Sequence, residues 1–163
     1  MYSPAFSPSA TRSPTGVLAW LVISLALLPV WSAALADEGA ASAAERLRVV
    51  YHINADDPDL HLNALRNLQN HLGGTRAESL EIKVVLHGGG VRLLEYAVDD
   101  PDLRTTVDTL RLQNVRFLVC GNTLDSRGLS LADLHDVEPA DRVDSGITEL
   151  MRLQRAGYTY IKP

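Results

Sequence analysis

The feature that most constrains the fold is a regular alternation of strand-like and helix-like segments along residues 47–163. Short runs rich in β-branched residues favour strands, and the segments between them carry apolar residues at helical spacing. Such alternation implies right-handed βαβ crossovers and a parallel sheet that is covered by helices. We therefore predict an α/β fold of three layers, α/β/α, with a mainly parallel sheet of roughly five strands, flavodoxin-like in the broad sense. The predicted strands span residues 47–54, 80–87, 115–120, 142–143 and 158–162, and the predicted helices span residues 60–72, 91–98, 103–112, 122–127 and 147–156.

The pentapeptide Asp-Asp-Pro-Asp-Leu occurs twice, at residues 56–60 and at residues 99–103. Each copy combines a helix cap with a proline in the first turn and an acidic residue that suits the helix dipole. The two copies follow their preceding strands at different distances. We therefore interpret them as one capping solution used twice, and not as a duplicated domain.

Cys120, the only cysteine of the chain, lies where the third predicted strand meets a turn that begins with Gly121 and Asn122. Ligands of open parallel sheets collect outside the carboxyl ends of the strands, so this position is a candidate site. With the strand order 2-1-3-4-5, the first and third strands are neighbours, and the loop after Asn54 lies beside Cys120.

Cys120 is also a candidate nucleophile. The thiolate is the reactive form of cysteine, and backbone N–H groups at a helix start favour an anion. His52 and His87 both end predicted strands and are possible proton partners, and Arg127 could add positive charge, but spacing does not show which histidine reaches the sulfur. The alternative is a buried cysteine that never reacts.

A glycine-rich loop, Gly88, Gly89 and Gly90, follows His87 at the end of the second predicted strand. Exposed backbone amides in such a loop could bind an anion or a small thiol. The loop matches neither the Walker A sequence nor the dinucleotide-binding fingerprint. The alternative is a tight turn in which glycine permits positive φ.

Composition excludes several other classes of function. The formal net charge is −5 and the basic residues do not cluster, so we do not expect a nucleic acid partner. The five histidines show neither His-x-x-x-His nor Cys-x-x-Cys spacing, so we predict no metal site, and nothing in the sequence calls for a cofactor.

Residues 1–36 have the layout of a secretory signal. Arg12 precedes an uncharged stretch that contains the apolar run 17–28, and the small residues Ala34 and Ala36 come just before the acidic Asp37. The apolar run is shorter than the roughly 20 residues of a membrane span. We predict cleavage after Ala36, a flexible segment at 37–45, a single domain at 46–163, and a periplasmic or secreted protein that leaves the membrane after cleavage. The alternative is an uncleaved anchor over residues 17–36.

Several segments resemble the DsrE/DsrF-like family. In NVRFLVCGNTLDSRGLS, residues 114–130, a strand ends in cysteine and an Arg-Gly pair follows at a similar distance, here Arg127-Gly128. The start LRVVYHIN, the HGGG of residues 87–90 and the ending GITELMRLQRAGYTYIKP are similar to an exported branch of that family. The resemblance extends over residues 47–163.

The resemblance implies a function in sulfur transfer. Family members carry a persulfide on the cysteine that matches Cys120, pass the sulfur to a partner protein, and assemble as homo-oligomers, often trimers or hexamers. Some relatives have a second cysteine three residues later, where this chain has Thr123. The implied function is that of a periplasmic sulfur-handling protein, in which Cys120 accepts sulfur from a donor protein and relays it as a persulfide to an acceptor.

The alternative function is a non-catalytic homo-oligomeric module that binds a small anion or a partner, with a structural Cys120. In both cases we expect the binding residues to lie at the strand ends. These residues are Asn54, His87, Gly88, Gly89, Gly90, Gly121, Asn122 and Arg127.

Overall fold

The computed structural model describes residues 47–74 and 80–163, all of which belong to the unit Ala44–Pro163. The predicted signal sequence, its cleavage site and the segment 37–45 lie outside the described residues. Within the described ranges, no helix is both long enough and apolar enough to cross a membrane.

Five parallel strands form one sheet, as the alternation of segments predicts. Their alternating side chains are buried on both faces over most of the three central strands, which is the pattern of a sheet covered by helices. The strands are β1 (Leu47–Ile53), β2 (Leu80–Leu86), β3 (Val115–Cys120), β4 (Arg142–Val143) and β5 (Thr159–Ile161).

The strand order 2-1-3-4-5, from which the Asn54 loop was expected beside Cys120, is wrong. The sheet has the order β4-β3-β2-β1-β5. Strand β2 pairs with both β1 and β3, so the first and third strands are not neighbours. The chain steps in one direction from β1 to β4 and then returns to place β5 beside β1. The change of direction therefore falls between β1 and β5, and not beside Cys120.

The helices divide unequally between the two faces of the sheet. Right-handed crossovers that step in one direction place their helices on one face, and the reversal to β5 places its helix on the other. The first four helices share the larger apolar core, whereas the last helix packs on Val50, Val85 and Leu118 through Leu150 and Leu153. The helices are α1 (Pro58–Gly74), α2 (Arg92–Asp99), α3 (Pro101–Leu112), α4 (Gly121–Arg127) and α5 (Gly146–Arg155).

The repeated pentapeptide begins two helices, α1 and α3, in the same way. The side chain of Asp57 accepts hydrogen bonds from the first-turn amides of Asp59 and Leu60, at 2.9 and 3.2 Å. The side chain of Asp100 accepts them from Asp102 and Leu103, at 2.9 and 3.0 Å. The second aspartate of each copy is therefore the cap, which confirms the interpretation of the motif as a capping solution.

Candidate functional site

Cys120 lies at the point where two helices begin. It is the last residue of β3 and the N-cap residue of α4, and only 5% of its surface is exposed. Its side chain points to the face of the sheet that α5 covers, because Phe117 and Val119 point into the larger core on the other face. Gly146, the first residue of α5, contacts Cys120 from that side.

Hydrogen bonding favours the thiolate form of Cys120. Burial raises the pKa of the thiol, but donors from Thr123, Gly146 and Asn122 outweigh burial and leave the pKa below its ordinary value. The donors are the hydroxyl and backbone N–H of Thr123 and the backbone N–H groups of Gly146 and Asn122. All of these amides belong to first turns of helices, where N–H groups have no partner within the helix and favour an anion.

Gly146 packs against both His87 and Cys120. A β-carbon on Gly146 would lie 2.9 Å from Cβ of His87 and 3.2 Å from Cβ of Cys120. A side chain at this position would therefore push the two residues apart. The absence of a side chain lets the start of α5 come close enough for its first amide to reach the sulfur.

A chain of hydrogen bonds leads from His87 to the surface. Nε2 of His87 lies 2.6 Å from Nε2 of His52, and the two rings are stacked. Nδ1 of His52 lies 2.6 Å from the hydroxyl of Tyr160, a residue of β5 that is 40% exposed.

The hydrogen bonds that join His87, His52 and Tyr160 can move a proton while both histidine rings remain neutral. In one arrangement Tyr160 donates to Nδ1 of His52, and His52 donates through Nε2 to His87. In the other, His87 donates through Nε2 to His52, which donates through Nδ1 to Tyr160. The change from the second arrangement to the first takes up a proton on Nδ1 of His87 and releases one at Tyr160.

Both histidines resist protonation. Burial, together with the nearby charges of His87 and Lys162, lowers the pKa of His52 from its ordinary value of 6.5 to about 4. Burial, followed by the charge of Lys162, also lowers the pKa of His87. At neutral pH the pair is therefore uncharged and able to accept or pass on a proton.

The glycine-rich loop forms a tight turn that packs against the end of β1. Gly88 has a φ of +54°, and its N–H donates to Oγ1 of Thr123 at 2.9 Å. The N–H of Gly90 donates to the carbonyl of His87 at 3.0 Å. Two of the three amides thus have protein partners, and the loop supports the hydroxyl that in turn donates to Cys120.

Two of the remaining predicted residues adjoin Cys120. Gly121 is buried beneath the guanidinium group of Arg142, whose Cζ would lie 2.6 Å from a β-carbon at this position. Asn122 is exposed, and its N–H also points to the carbonyl of Asp144 at 3.1 Å.

Two other predicted residues lie elsewhere. Asn54 follows β1, and its backbone packs against Gly88 and Gly90 of the loop. The side chain of Arg127 forms an ion pair with Glu95 of α2 at 2.8 Å, so its charge is neutralised there.

Sequence reasoning did not assign Gly146, Thr123 or Tyr160 to the site. Thr123 had a signal, because it occupies the position of a second cysteine in some relatives. Gly146 and Tyr160 carry no comparable signal in the sequence, beyond the place of Gly146 after the helix cap Ser145. Residues 47–74 and 80–163 contain no group of three or more His, Cys, Asp or Glu side chains arranged to hold a metal ion.

Replacement of Thr123 by valine is expected to raise the pKa of Cys120, because a hydrogen bond to the charged thiolate is lost. The rate of alkylation by iodoacetamide, measured against pH, reports this pKa. Thr123→Ser keeps the hydroxyl and should keep the wild-type profile. Coincident profiles for wild type and Thr123→Val would contradict the role of the hydroxyl.

The fold and the site together define a parallel α/β protein that holds a strand-end cysteine between two helix starts. The model of the DsrE/DsrF-like family matches residues 38–163, and the chain belongs to this family, which is generally associated with sulfur relay. A solved structure of a protein of unknown function from Methanobacterium thermoautotrophicum, MTH1491, is similar to this chain, with 36% sequence identity and a TM-score of 0.61. The match covers 72% of this chain and 99% of that one. No curated protein matches the sequence.

Proposed function

We propose that Cys120 accepts a sulfur atom as a persulfide and relays it to an acceptor thiol. The observation that carries this proposal is the lowered pKa of a cysteine that is 95% buried, which results from donors at the starts of α4 and α5. Donors that stabilise a thiolate also stabilise the anion of a persulfide, because both place negative charge on sulfur beside fixed N–H groups.

The transfer has two steps. The Cys120 thiolate attacks the outer sulfur of a donor persulfide, so that a bond to Sγ forms, the sulfur–sulfur bond of the donor breaks, and the donor leaves as a thiolate with the electron pair. An acceptor thiolate then attacks the outer sulfur on Cys120, and Cys120 leaves as a thiolate. The second step restores the starting protein, and neither step requires an external oxidant or reductant.

Neutral His87 and His52 suit the acid–base side of this exchange. Cys120 must lose a proton before attack, and the departing donor thiolate takes one up. His87 packs against the glycine that adjoins Cys120, and its Nε2 is joined through His52 to the hydroxyl of Tyr160. We propose that these hydrogen-bonded groups exchange the proton with solvent while sulfur is loaded onto Cys120 and unloaded from it.

We also propose that the protein works outside the cytoplasm as a homo-oligomer, a trimer or hexamer. The signal-like sequence of residues 1–36 supports export, and the resemblance to the family supports assembly. The sulfur donor and acceptor would then be proteins or small thiols of the same compartment.

The test is the intact mass of the protein after exposure to inorganic polysulfide. We expect a gain of about 32 Da, one sulfur atom, that is lost on treatment with a reductant and absent in Cys120→Ser. Cys120 is the only cysteine, so the variant removes every possible thiol acceptor. Native wild-type protein should also be alkylated by iodoacetamide without denaturant, at a rate that rises with pH, since the thiolate is the reactive form.

Absence of the adduct, together with alkylation only after denaturation, would contradict the relay. It would favour the alternative of a binding module with a structural cysteine. In that case Cys120→Ser should retain every binding property of the wild-type protein.

A further inference from the structure

The side chain of Arg142 lies along the first turn of α4, the helix whose N-cap residue is Cys120. Arg142 belongs to the edge strand β4, which pairs with the end of β3. In this pairing Arg142 lies opposite Val119, and Val143 lies opposite Cys120. The backbone of β4 therefore places the arginine side chain beside the residue that follows the cysteine.

The guanidinium group of Arg142 covers Gly121 with its flat face. A β-carbon on Gly121 would lie 2.6 Å from Cζ of Arg142 and 2.8 and 3.0 Å from the two terminal nitrogens. Because the central carbon is nearest and the two nitrogens are almost equally distant, the group presents its plane, and not its edge, to the glycine. A larger residue at position 121 would displace the guanidinium from this contact.

The same side chain binds Asp125, one turn further along α4. Nη2 of Arg142 donates to the two carboxylate oxygens of Asp125, at 3.0 and 2.9 Å. Gly121 and Asp125 are four residues apart and therefore share one face of the helix. Arg142 thus spans the turn of α4 that contains Asn122 and Thr123, whose N–H groups donate to the cysteine sulfur.

Other contacts hold α4 from different sides. The helix has seven residues, and a helix of this length is not stable by itself. Leu124 is its one large apolar side chain and is buried in the larger core. Gly88 donates to the hydroxyl of Thr123 from the glycine-rich loop, and Arg127 forms its ion pair at the far end of the helix. Arg142 holds the first turn from the side of β4.

We propose that Arg142 is a positioning residue for the thiolate of Cys120. It acts through Gly121 and Asp125, and keeps the first turn of α4 where its N–H groups point to the sulfur. The strength of a hydrogen bond depends on its length and angle, so a small rotation of α4 weakens several donors at once. The inference rests on the proposed function, since this thiolate is the group that attacks the sulfur donor.

The ionisation of Cys120 can be followed directly, because it is the only cysteine of the chain. Protein labelled with carbon-13 at the cysteine β-carbon gives one signal, and its chemical shift against pH yields the acid ionisation constant of the thiol. This measurement needs neither an alkylating reagent nor a sulfur donor. His87 packs on the same glycine as Cys120, and its pKa is below 6.5, so it stays neutral while the thiol titrates at higher pH.

Two variants break the ion pair with opposite changes of charge. Arg142→Gln removes the positive charge, whereas Asp125→Asn leaves that charge without a partner. If Arg142 acts by position, both variants lower the acid ionisation constant of the thiol by about two- to fivefold, the effect of an ion pair with exposed partners. If Arg142 acted by its charge alone, Arg142→Gln would lower the constant and Asp125→Asn would raise it.

Arg92→Gln is the matched control. The side chain of Arg92 is 40% exposed, against 37% for Arg142, and forms an ion pair with Asp56 at 2.7 Å that does not involve α4. This variant should keep the wild-type ionisation constant. Arg142 and Asp125 are exposed, so all of the variants should fold, and circular dichroism verifies this.

Two results would overturn the proposal: an unchanged ionisation constant in Arg142→Gln, or a constant that rises in Asp125→Asn. Sulfur loading is scored separately, as the mass gained from inorganic polysulfide. A wild-type protein that gains no sulfur contradicts the relay but leaves the ionisation constants of the variants to decide the role of Arg142. Failure of the positioning role and failure of the sulfur relay are therefore separate outcomes.

Discussion

Replacement of Gly90 by alanine is expected to lower the free energy of unfolding by about 3 kcal/mol or more. A β-carbon at this position would lie 2.1 Å from the carbonyl oxygen and 2.5 Å from the carbonyl carbon of Ile53. These atoms belong to the backbone at the end of β1, which is fixed by its pairing with β2. The clash therefore cannot be relieved by the rotation of a side chain, and the glycine-rich loop must separate from β1. Unfolding in urea, followed by circular dichroism, measures the loss.

Gly73→Ala is the matched control for Gly90→Ala. Gly73 lies in the last turn of α1, and a β-carbon there would contact nothing within 4 Å. Alanine is favoured over glycine in a helix, so this variant should gain about 0.5–1 kcal/mol. A Gly90→Ala protein as stable as wild type would show that the loop does not pack on β1 as described. Such a result would also contradict the proposed role of the loop in positioning the Thr123 hydroxyl.

Acidification from pH 6.5 to about 4 is expected to destabilise the protein through His52. Burial, with the nearby charges of His87 and Lys162, lowers the pKa of His52 from 6.5 to about 4 in the folded chain. The unfolded chain therefore binds more protons than the folded chain in this range. The contribution of His52 to the free energy of unfolding is therefore fully present above pH 6.5. As the pH falls to about 4, this contribution is lost, and the free energy of unfolding decreases by up to about 3 kcal/mol.

His52→Gln isolates this effect from the titration of carboxylates, which both proteins share. Glutamine keeps a polar group between Tyr160 and His87 but has no proton to gain, so the variant should lose less stability over the same pH range. The free energy of unfolding in urea, measured at half-unit steps of pH for both proteins, gives the difference. Parallel curves would contradict the lowered pKa of His52.

The local structure could be predicted well from the sequence because its causes are local. The sequence predicts the third strand at residues 115–120, and the structure has it at Val115–Cys120. Alternating apolar residues bounded by glycine and asparagine define such a strand without reference to the rest of the chain. The helix starts at Asp57 and Asp100 could also be predicted from the sequence. A capping side chain bonds to amides only two and three residues away, so its effect is local.

The order of the strands could not be derived in this way. A short apolar strand can pair on either edge, and right-handed crossovers permit the order 2-1-3-4-5 as well as the observed order β4-β3-β2-β1-β5. The choice depends on how the whole set of helices covers the two faces. The expectation that the Asn54 loop lies beside Cys120 depended on β1 and β3 being neighbours, whereas β2 lies between them.

The sequence by itself determined the α/β class, the position of Cys120 at a strand end and the resemblance to the DsrE/DsrF-like family. The tertiary structure alone decided the surroundings of that cysteine. His52 and His87 meet across 35 residues of sequence, and His52 and Tyr160 meet across 108. Gly146 reaches Cys120 only because the last crossover returns over the opposite face of the sheet. Patterns in a sequence report interactions over a few residues, whereas contacts between distant segments depend on the arrangement of the folded sheet.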